Sequence, residues 1–289
     1  MTQSSATKSS EQSTSKDSIR PFTVNVSESD LDDLRTRLAM TRFPTKELVS
    51  DRSQGVQLAT VQELAHYWAE DYDFGRIEGR LNSLPQFTTE IDGVDIHFNF
   101  LAGAIGITDQ LPAESEEERA AHDAVKTFTT NGFAYFLEQS TRPQTIGYSL
   151  VDSPVGLAAW LLDHDTDSYY KISRAFVDRR PVGHLTRESI VDNITLYWLT
   201  GTGASAARWY WEFGQAQATA AGQAPPPVSV PVGFTTFPGE IWAAPRSWVE
   251  TVYPGLAYFN EVDRGGHFAA WEQPELFAAE LRAAFASLR

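Results

Sequence analysis

The final third of the chain constrains the fold most strongly, because strand-like and helix-like segments alternate there. A β-rich run from Val228 to Phe234 and a second strand, LAYFNEVDR, precede an amphipathic closing helix that has Pro274 near its start. A helical segment separates the two strands, and a glycine-rich loop follows the second one. Strands and helices that alternate in this way form parallel sheets, so this region predicts the closing half of an α/β fold.

A histidine lies at the tip of that loop. Gly265, Gly266 and His267 follow the second strand, while Glu240 lies just beyond the first. An α/β-hydrolase has its nucleophile, acid and histidine in that order along the chain, with the histidine on a loop after the last strand. Glu240 and His267 fit the second and third positions, where the carboxylate would stabilise an imidazolium ion. The spacing leaves open an alternative, in which a surface glutamate and a packed histidine have no joint role.

Composition excludes several classes of function. The 289 residues are 42% hydrophobic, which suits one large domain or two modest ones. The net charge of -15 repels phosphate backbones and anionic lipids, so we expect no nucleic-acid partner. The chain has no cysteine, and therefore no disulfide, catalytic thiolate or cysteine-bound metal. No apolar run approaches the roughly 18 residues needed to span a bilayer, and we expect a soluble, cytoplasmic protein.

The N-terminal part of the chain predicts a tail and two helices. Residues 1–20 are rich in serine and threonine, a composition typical of a disordered tail. Two capping boxes, Ser29 with Asp32 and Thr60 with Glu63, predict where the helices begin. Helical spacing predicts that each helix buries three side chains on one face: Leu31, Leu34 and Leu38 in the first, and Val61, Leu64 and Trp68 in the second.

A β-hairpin and a long helical region follow. Asp92-Gly93 between two alternating segments predicts the hairpin, because a type I′ turn requires positive φ at both central positions. Helical and aromatic patterns then dominate from residue 133 to about residue 222. In an α/β-hydrolase this region would be a cap that faces the substrate. Tyr135 and Tyr210 are candidates there, since a phenol can donate a hydrogen bond to an oxygen that develops negative charge. An ordinary packed aromatic role stays open for both.

Several long strings resemble the microsomal-type epoxide hydrolases, a family that includes the juvenile-hormone epoxide hydrolases. PFTVNVSESDLDDLRTRLAMTRFP and LNSLPQFTTEIDGVDIHF are similar to the family's N-terminal domain, and GYSLVDSPVGLAAWLLD and NITLYWLTGTGASAARWYWE are similar to its cap. VPVGFTTFPGEIW and DRGGHFAAWEQPELFAAELR resemble its C-terminal sheet elements. The resemblance covers nearly everything after residue 20. It implies an α/β-hydrolase-like fold with a helical cap and an N-terminal helical arm.

The resemblance also implies a reaction, the hydrolysis of a small hydrophobic epoxide to a vicinal diol without a metal or an organic cofactor. In the family an aspartate opens the epoxide to an ester, while two tyrosines, here Tyr135 and Tyr210, hydrogen-bond the departing oxygen. His267, oriented by Glu240, would then activate the water that hydrolyses the ester. Such chemistry suits detoxification and xenobiotic metabolism.

One segment of the family pattern is missing. In the family, the strand that resembles DGVDIHF continues into a His-Gly-Trp-Pro loop, which supplies the oxyanion hole. A later Gly-Gly-Asp elbow holds the nucleophile. Neither motif occurs here, and NFLAGAIG follows DIHF directly. The sequence therefore predicts that the central parallel strands are absent at Phe98/Asn99. Asp92, Asp95 and Asp152 do not match the position of the family's nucleophile.

Three functional hypotheses stay open. The chain is an epoxide hydrolase with impaired turnover, a catalytically inactive remnant that binds hydrophobic ligands, or a chain whose missing segment is supplied by a separate protein. An internal deletion would explain the break in the pattern. The expected domains are a tail over 1–20, an N-terminal domain over 21–98 that ends in the hairpin, a remnant of the hydrolase core with the cap over 99–225, and the C-terminal strands and helix over 226–289.

Overall fold

The computed structural model describes residues 20–88, 90–91, 94–95, 111–219, 228 and 230–286. The chain divides into two compact units, one formed by Met1–Val26 with Asp73–Ala104 and the other by Ser27–Tyr72 with Ile105–Arg289. The predicted tail up to residue 19, the Asp92-Gly93 turn and the Phe98/Asn99 junction lie outside the described residues.

In its described residues, the smaller unit contains two short antiparallel strand pairs and one helix. Strand β1 (Arg20–Phe22) pairs with β2 (Gln86–Thr88), and β3 (Glu90–Ile91) pairs with β4 (Val94–Asp95). Ile91 lies opposite Val94, so two residues connect β3 to β4, as the predicted hairpin requires. Asp73 is the N-cap of helix α3 (Phe74–Asn82). Its carboxylate accepts hydrogen bonds from the backbone N–H groups of Gly75 and Arg76.

The first helix of the larger unit is α1 (Glu28–Ala39), and its N-cap lies two residues before the predicted one. Ser27 is the N-cap, and its hydroxyl accepts a hydrogen bond from the backbone N–H of Asp30 at 3.2 Å. Ser29 lies inside the helix, so the predicted Ser29 capping box is wrong. The predicted face is confirmed: Leu31, Leu34 and Leu38 are buried.

The second helix, α2 (Leu58–His66), continues into a single π-helical turn over Tyr67–Asp71. Its N-cap is Gln57, which makes no side-chain capping bond, so the Thr60 capping box is also wrong. The Thr60 hydroxyl is buried in the helix and lies 2.7 Å from the Ser173 hydroxyl. The predicted apolar face is confirmed, since Val61, Leu64 and Trp68 are buried.

Seven further helices form most of the larger unit: α4 (Glu116–Asn131), α5 (Ala134–Thr141), α6 (Pro143–Asp152), α7 (Pro154–Leu162), α8 (Thr166–Val177), α9 (Arg187–Leu199) and α10 (Gly203–Thr219). Helix α10 packs along α5 and α6, while α7, α8 and α9 pack with one another and with α1 and α2. Each fully buried large side chain in this core contributes about 1.5–3 kcal/mol. The largest are Trp68, Tyr169, Phe176, Leu34, Leu64, Leu157, Leu185, Ile190 and Ile194.

The C-terminal part confirms the predicted order of strand, helix, strand, loop and helix. Strand β5 (Val232–Thr236) pairs in parallel with β6 (Leu256–Glu261), and α11 (Arg246–Val252) connects them. Helices α12 (Ala269–Glu272) and α13 (Pro274–Ala284) follow β6. Because β5 and β6 are parallel, the loops that leave their carboxyl ends emerge at the same edge.

Across the described ranges, no helix combines the length and the apolar character that a membrane span requires.

Candidate active site

The loops after β5 and β6 contact each other through three glycines. Gly239 forms a parallel bridge with Gly266, and the Gly239 N–H donates a hydrogen bond to the Gly265 carbonyl at 2.9 Å. Gly265 has a φ of 100°, a conformation that favours glycine over any residue with a Cβ. These contacts place Glu240, which follows Gly239, beside His267, which follows Gly266.

Glu240 and His267 form a hydrogen-bonded pair, as their positions along the chain predict. His267 Nδ1 lies 2.6 Å from Glu240 Oε1, and the two side chains are 22% and 32% exposed. An ionised carboxylate can only accept, so the imidazole donates its Nδ1 hydrogen to Glu240. The neutral ring then keeps an unprotonated Nε2, which is the form that can take a proton from water.

The pKa of His267 is raised above the ordinary histidine value. Burial is the largest single influence and lowers the pKa, but the hydrogen bond and negative charge of Glu240, with the charges of Asp165 and Glu272, outweigh it. The pair therefore stabilises the fold below the ordinary pKa of 6.5, and this stabilisation is lost as the pH rises through the raised value. A histidine can act as a general base only in its neutral form, and so above its own pKa.

Substituting Glu240 with glutamine is expected to lower the pKa of His267, because the amide keeps a hydrogen-bonding oxygen but carries no charge. A pH titration of the histidine ring signals by NMR would measure the change. Glu250→Gln is the matched control, since Glu250 pairs with the exposed Arg246 at 2.7 Å. An unchanged His267 titration in Glu240→Gln would show that the negative charge of Glu240 does not raise the pKa of His267.

An ion-pair cluster around the buried Glu272 packs against the His267 loop. Glu272 is fully buried, and its Oε2 lies 2.6 Å from Lys171 Nζ, which also lies 2.5 Å from Asp167 Oδ2. A Cβ on Gly266 would come within 2.7 Å of Asp167 Oδ2 and within 2.9 Å of Glu272 Oε1. Lys171 holds both carboxylates in place, so neither can move aside easily, and the loop requires glycine at this position.

Gly266→Ala is therefore expected to reduce the free energy of unfolding by about 1–3 kcal/mol, the range for an overpacked site. Gly79→Ala is the matched control, because a Cβ at this helical position meets nothing within 4 Å. That substitution should be neutral or stabilise the helix by about 0.5–1 kcal/mol. Urea unfolding of both variants would test the pair of expectations. Equal stability of the two variants would mean that the loop has room for a side chain.

The two candidate tyrosines lie next to each other on α5 and α10. The rings of Tyr135 and Tyr210 pack edge to face, with centroids 6.1 Å apart. Burial raises the pKa of both phenols. The neighbouring phenol of Tyr210 and the charge of Asp165 add to the effect on Tyr135, whereas Tyr197 adds to the effect on Tyr210 and a hydrogen bond with Gln139 opposes it. Both hydroxyls therefore keep their protons at neutral pH.

His164 connects the tyrosines to the Glu240–His267 pair. Its ring stacks on that of His267 with centroids 4.4 Å apart, and its Nε2 lies 3.1 Å from the Tyr135 hydroxyl. His164 Nδ1 lies 3.1 Å from Asp165 Oδ2. Sequence patterns alone do not single out His164 or Asp165. A local pattern does predict the start of α8, because Asp165, the residue after His164, is an N-cap that accepts the backbone N–H of Ser168.

Of the aspartates weighed from the sequence, Asp152 is fully described. Its carboxylate is 81% exposed and pairs with Arg37 at 3.1 Å, so its described contacts do not include the histidines or the tyrosines. In the described residues, no group of three or more histidine, cysteine, aspartate or glutamate side chains is arranged to hold a metal ion. The assembled groups are thus a histidine–carboxylate pair, a second histidine and two phenols.

The chain is similar to known proteins along most of its length. Residues 19–110 match the family model described as the epoxide hydrolase N terminus. A Stigmatella aurantiaca protein named "Putative epoxide hydrolase" is 33% identical over 389 residues, an alignment that covers 94% of this chain and 86% of that protein. Epoxide hydrolase 1 of Sus scrofa is 40% identical over 160 residues, which cover 54% of this chain and 35% of that protein.

Solved structures share the fold. The epoxide hydrolase of Aspergillus niger superimposes with a TM-score of 0.73 at 23% identity, over 94% of this chain and 97% of that one. The juvenile hormone epoxide hydrolase of the silkworm Bombyx mori gives a TM-score of 0.72 at 19% identity, over 94% and 95% of the two chains. The predicted α/β-hydrolase-like fold is therefore confirmed, in a helix-rich form with few strands among the described residues. The match to the Stigmatella protein extends over most of both chains, and it shows that this chain belongs to the epoxide hydrolase family.

Proposed function

We propose that this chain binds a small hydrophobic epoxide beneath its helical cap and adds water to it directly, forming a vicinal diol. The observation that carries the proposal is the 2.6 Å hydrogen bond between His267 Nδ1 and Glu240 Oε1. That bond leaves Nε2 of His267 as a base for water. The aromatic side chains of α5 and α10 provide the apolar surroundings in which an epoxide would lie.

The reaction requires one base and one acid. His267 Nε2 takes a proton from water while the water oxygen attacks an epoxide carbon, and Glu240 stabilises the imidazolium that forms. The carbon–oxygen bond breaks, and its electron pair stays on the former epoxide oxygen. A tyrosine hydroxyl donates its proton to that oxygen, and the phenolate regains a proton from the imidazolium through solvent. The product is a diol, and both side chains return to their starting states.

We expect this route to be much slower than the two-step reaction of the family. General acid–base catalysis contributes about 10²–10⁴-fold, whereas the loss of a catalytic nucleophile typically costs on the order of a millionfold in turnover. The alignment with the Stigmatella protein extends over 389 residues, although it contains only 94% of the 289 residues of this chain. That difference supports a missing segment, in keeping with the absent His-Gly-Trp-Pro and Gly-Gly-Asp motifs, and so with impaired turnover.

Incubation with styrene oxide would test the proposal. We expect diol to form faster than in buffer, and the excess to fall in Tyr210→Phe, which removes one hydroxyl and keeps the ring. Tyr148→Phe is a suitable comparison, because it also removes one phenol hydroxyl but lies on α6, where Tyr148 is 68% exposed. A rate equal to that in buffer, at protein concentrations high enough to detect a hundredfold acceleration, would rule the proposal out.

A second function, ligand binding without turnover, is favoured by the aromatic surface of the cap. Phe133 and Phe136 stack with ring centroids 4.4 Å apart, and Trp209 stacks on Phe213 at 5.4 Å. Such a cluster would bind an apolar ligand whether or not water attacks it. Binding of styrene oxide, measured by quenching of tryptophan fluorescence, without any excess of diol would support this second function. The same experiment with a co-purified partner chain would test whether another protein completes the site.

A further inference from the structure

His164 is a partly buried histidine that the proposed reaction does not use. It contacts a carboxylate, a phenol and a second imidazole: Asp165 at 3.1 Å, Tyr135 at 3.1 Å and the ring of His267 at 4.4 Å. Its side chain is 18% exposed. Since its two ring nitrogens each have a defined partner, the position of its proton can be worked out.

The proton of neutral His164 must lie on Nδ1. Asp165 is 5% exposed, and its Oδ1 accepts the backbone N–H of Ser168 at 2.8 Å. Burial, the largest influence, raises the pKa of Asp165, but hydrogen bonds from His164 and Ser168 outweigh it and hold the pKa below the ordinary value. An ionised Asp165 can only accept, so Nδ1 of His164 donates to it. Nε2 is then unprotonated and accepts the hydroxyl hydrogen of Tyr135.

Tyr210 differs from Tyr135 in its surroundings. Both ring nitrogens of His164 are engaged, one by Asp165 and the other by Tyr135, so neither can accept the Tyr210 hydroxyl hydrogen. Two neighbouring tyrosines thus differ in what they can offer to a substrate oxygen.

We propose that His164 is a positioning residue that holds the hydroxyl hydrogen of Tyr135 and so leaves Tyr210 as the donor to the substrate oxygen. Its effect on turnover rests on the proposed function, whereas its tautomer does not.

Two aromatic side chains complete the surroundings of His164: Tyr135 from α5 and Phe268, whose ring centroid lies 5.2 Å away.

NMR of the whole protein labelled with ¹⁵N at histidine tests the assignment without any need for turnover. Long-range ¹H–¹⁵N spectra distinguish the two neutral tautomers, and His164→Gln identifies the signal. We expect wild-type His164 to carry its proton on Nδ1 at neutral pH, although free histidine prefers Nε2. A wild-type His164 with its proton on Nε2 would overturn the proposal, whatever the result of the diol assay.

Asp165→Asn is the sharpest variant, because asparagine is as good an N-cap as aspartate and should keep α8 intact. Its amide can face His164 as a donor, so we expect the proton to move to Nε2. Tyr135→Phe should keep the Nδ1 tautomer and shift only the Nε2 resonance. If Asp165→Asn leaves the tautomer unchanged while helix content by circular dichroism is retained, Asp165 does not set the proton, and the proposal fails.

Discussion

Replacing His267 with glutamine is expected to reduce diol formation from styrene oxide by about 10²-fold or more, the usual contribution of a general base. The remaining rate should equal that in buffer. Glutamine is close to histidine in size, and its amide can still donate to Glu240, so the loop should keep its shape. The physical reason for the loss is that the amide has no nitrogen able to take a proton from water. Initial rates measured at several pH values would give the size of the effect.

His66→Gln is the control for this substitution. His66 is an exposed residue on α2, and the same change there should leave the rate of diol formation unaltered. The wild-type rate should also rise with pH through the raised pKa of His267, since only the neutral ring is a base. Retention of the full rate in His267→Gln would remove His267 from the reaction and contradict the proposed route.

Lys171→Met is expected to lower the free energy of unfolding by about 3–5 kcal/mol at neutral pH, the usual cost of breaking a buried ion pair on one side. Lys171 neutralises Glu272, which has no exposed surface, and Asp167. Burial is the largest influence on Lys171 and lowers its pKa, but both carboxylates raise it more. The stabilisation is therefore fully present at pH 7 and is lost only above the ordinary lysine pKa of 10.5.

The double variant Lys171→Met/Glu272→Gln is the informative comparison. Removing both charges leaves no buried ion at Glu272, so most of the lost stability should return. Urea unfolding at pH 7 would measure all three proteins. A single variant as stable as the wild type would mean that water already screens this cluster.

Sequence patterns predicted the helix faces better than the helix ends. The spacing of Leu31, Leu34 and Leu38 identifies the buried side of α1, because the period of a helix is fixed. The cap was misplaced because Ser27 and Ser29 are each followed by an aspartate three residues later. Either serine satisfies the local rule, and the choice between them depends on where the packed helix begins.

Tertiary contacts explain the misplaced cap of α2 and the failure to find His164. Thr60 was expected to cap α2, but its hydroxyl instead bonds Ser173 on α8, a partner that no local pattern reveals. In the candidate site, chain order was sufficient to pair Glu240 with His267, because both follow parallel strands. His164 could not be found in this way. It lies between α7 and α8, and it stacks on His267, which is far away along the chain.

A single-turnover reaction in H₂¹⁸O, with protein in excess over styrene oxide, tests most directly whether water adds to the epoxide without an ester intermediate. Direct addition of water predicts that the diol of the first turnover carries ¹⁸O and that no peptide of the protein gains mass. His267→Gln gives the background rate. First-turnover diol that carries only ¹⁶O, together with ¹⁸O in an aspartate or glutamate of the protein, would contradict it.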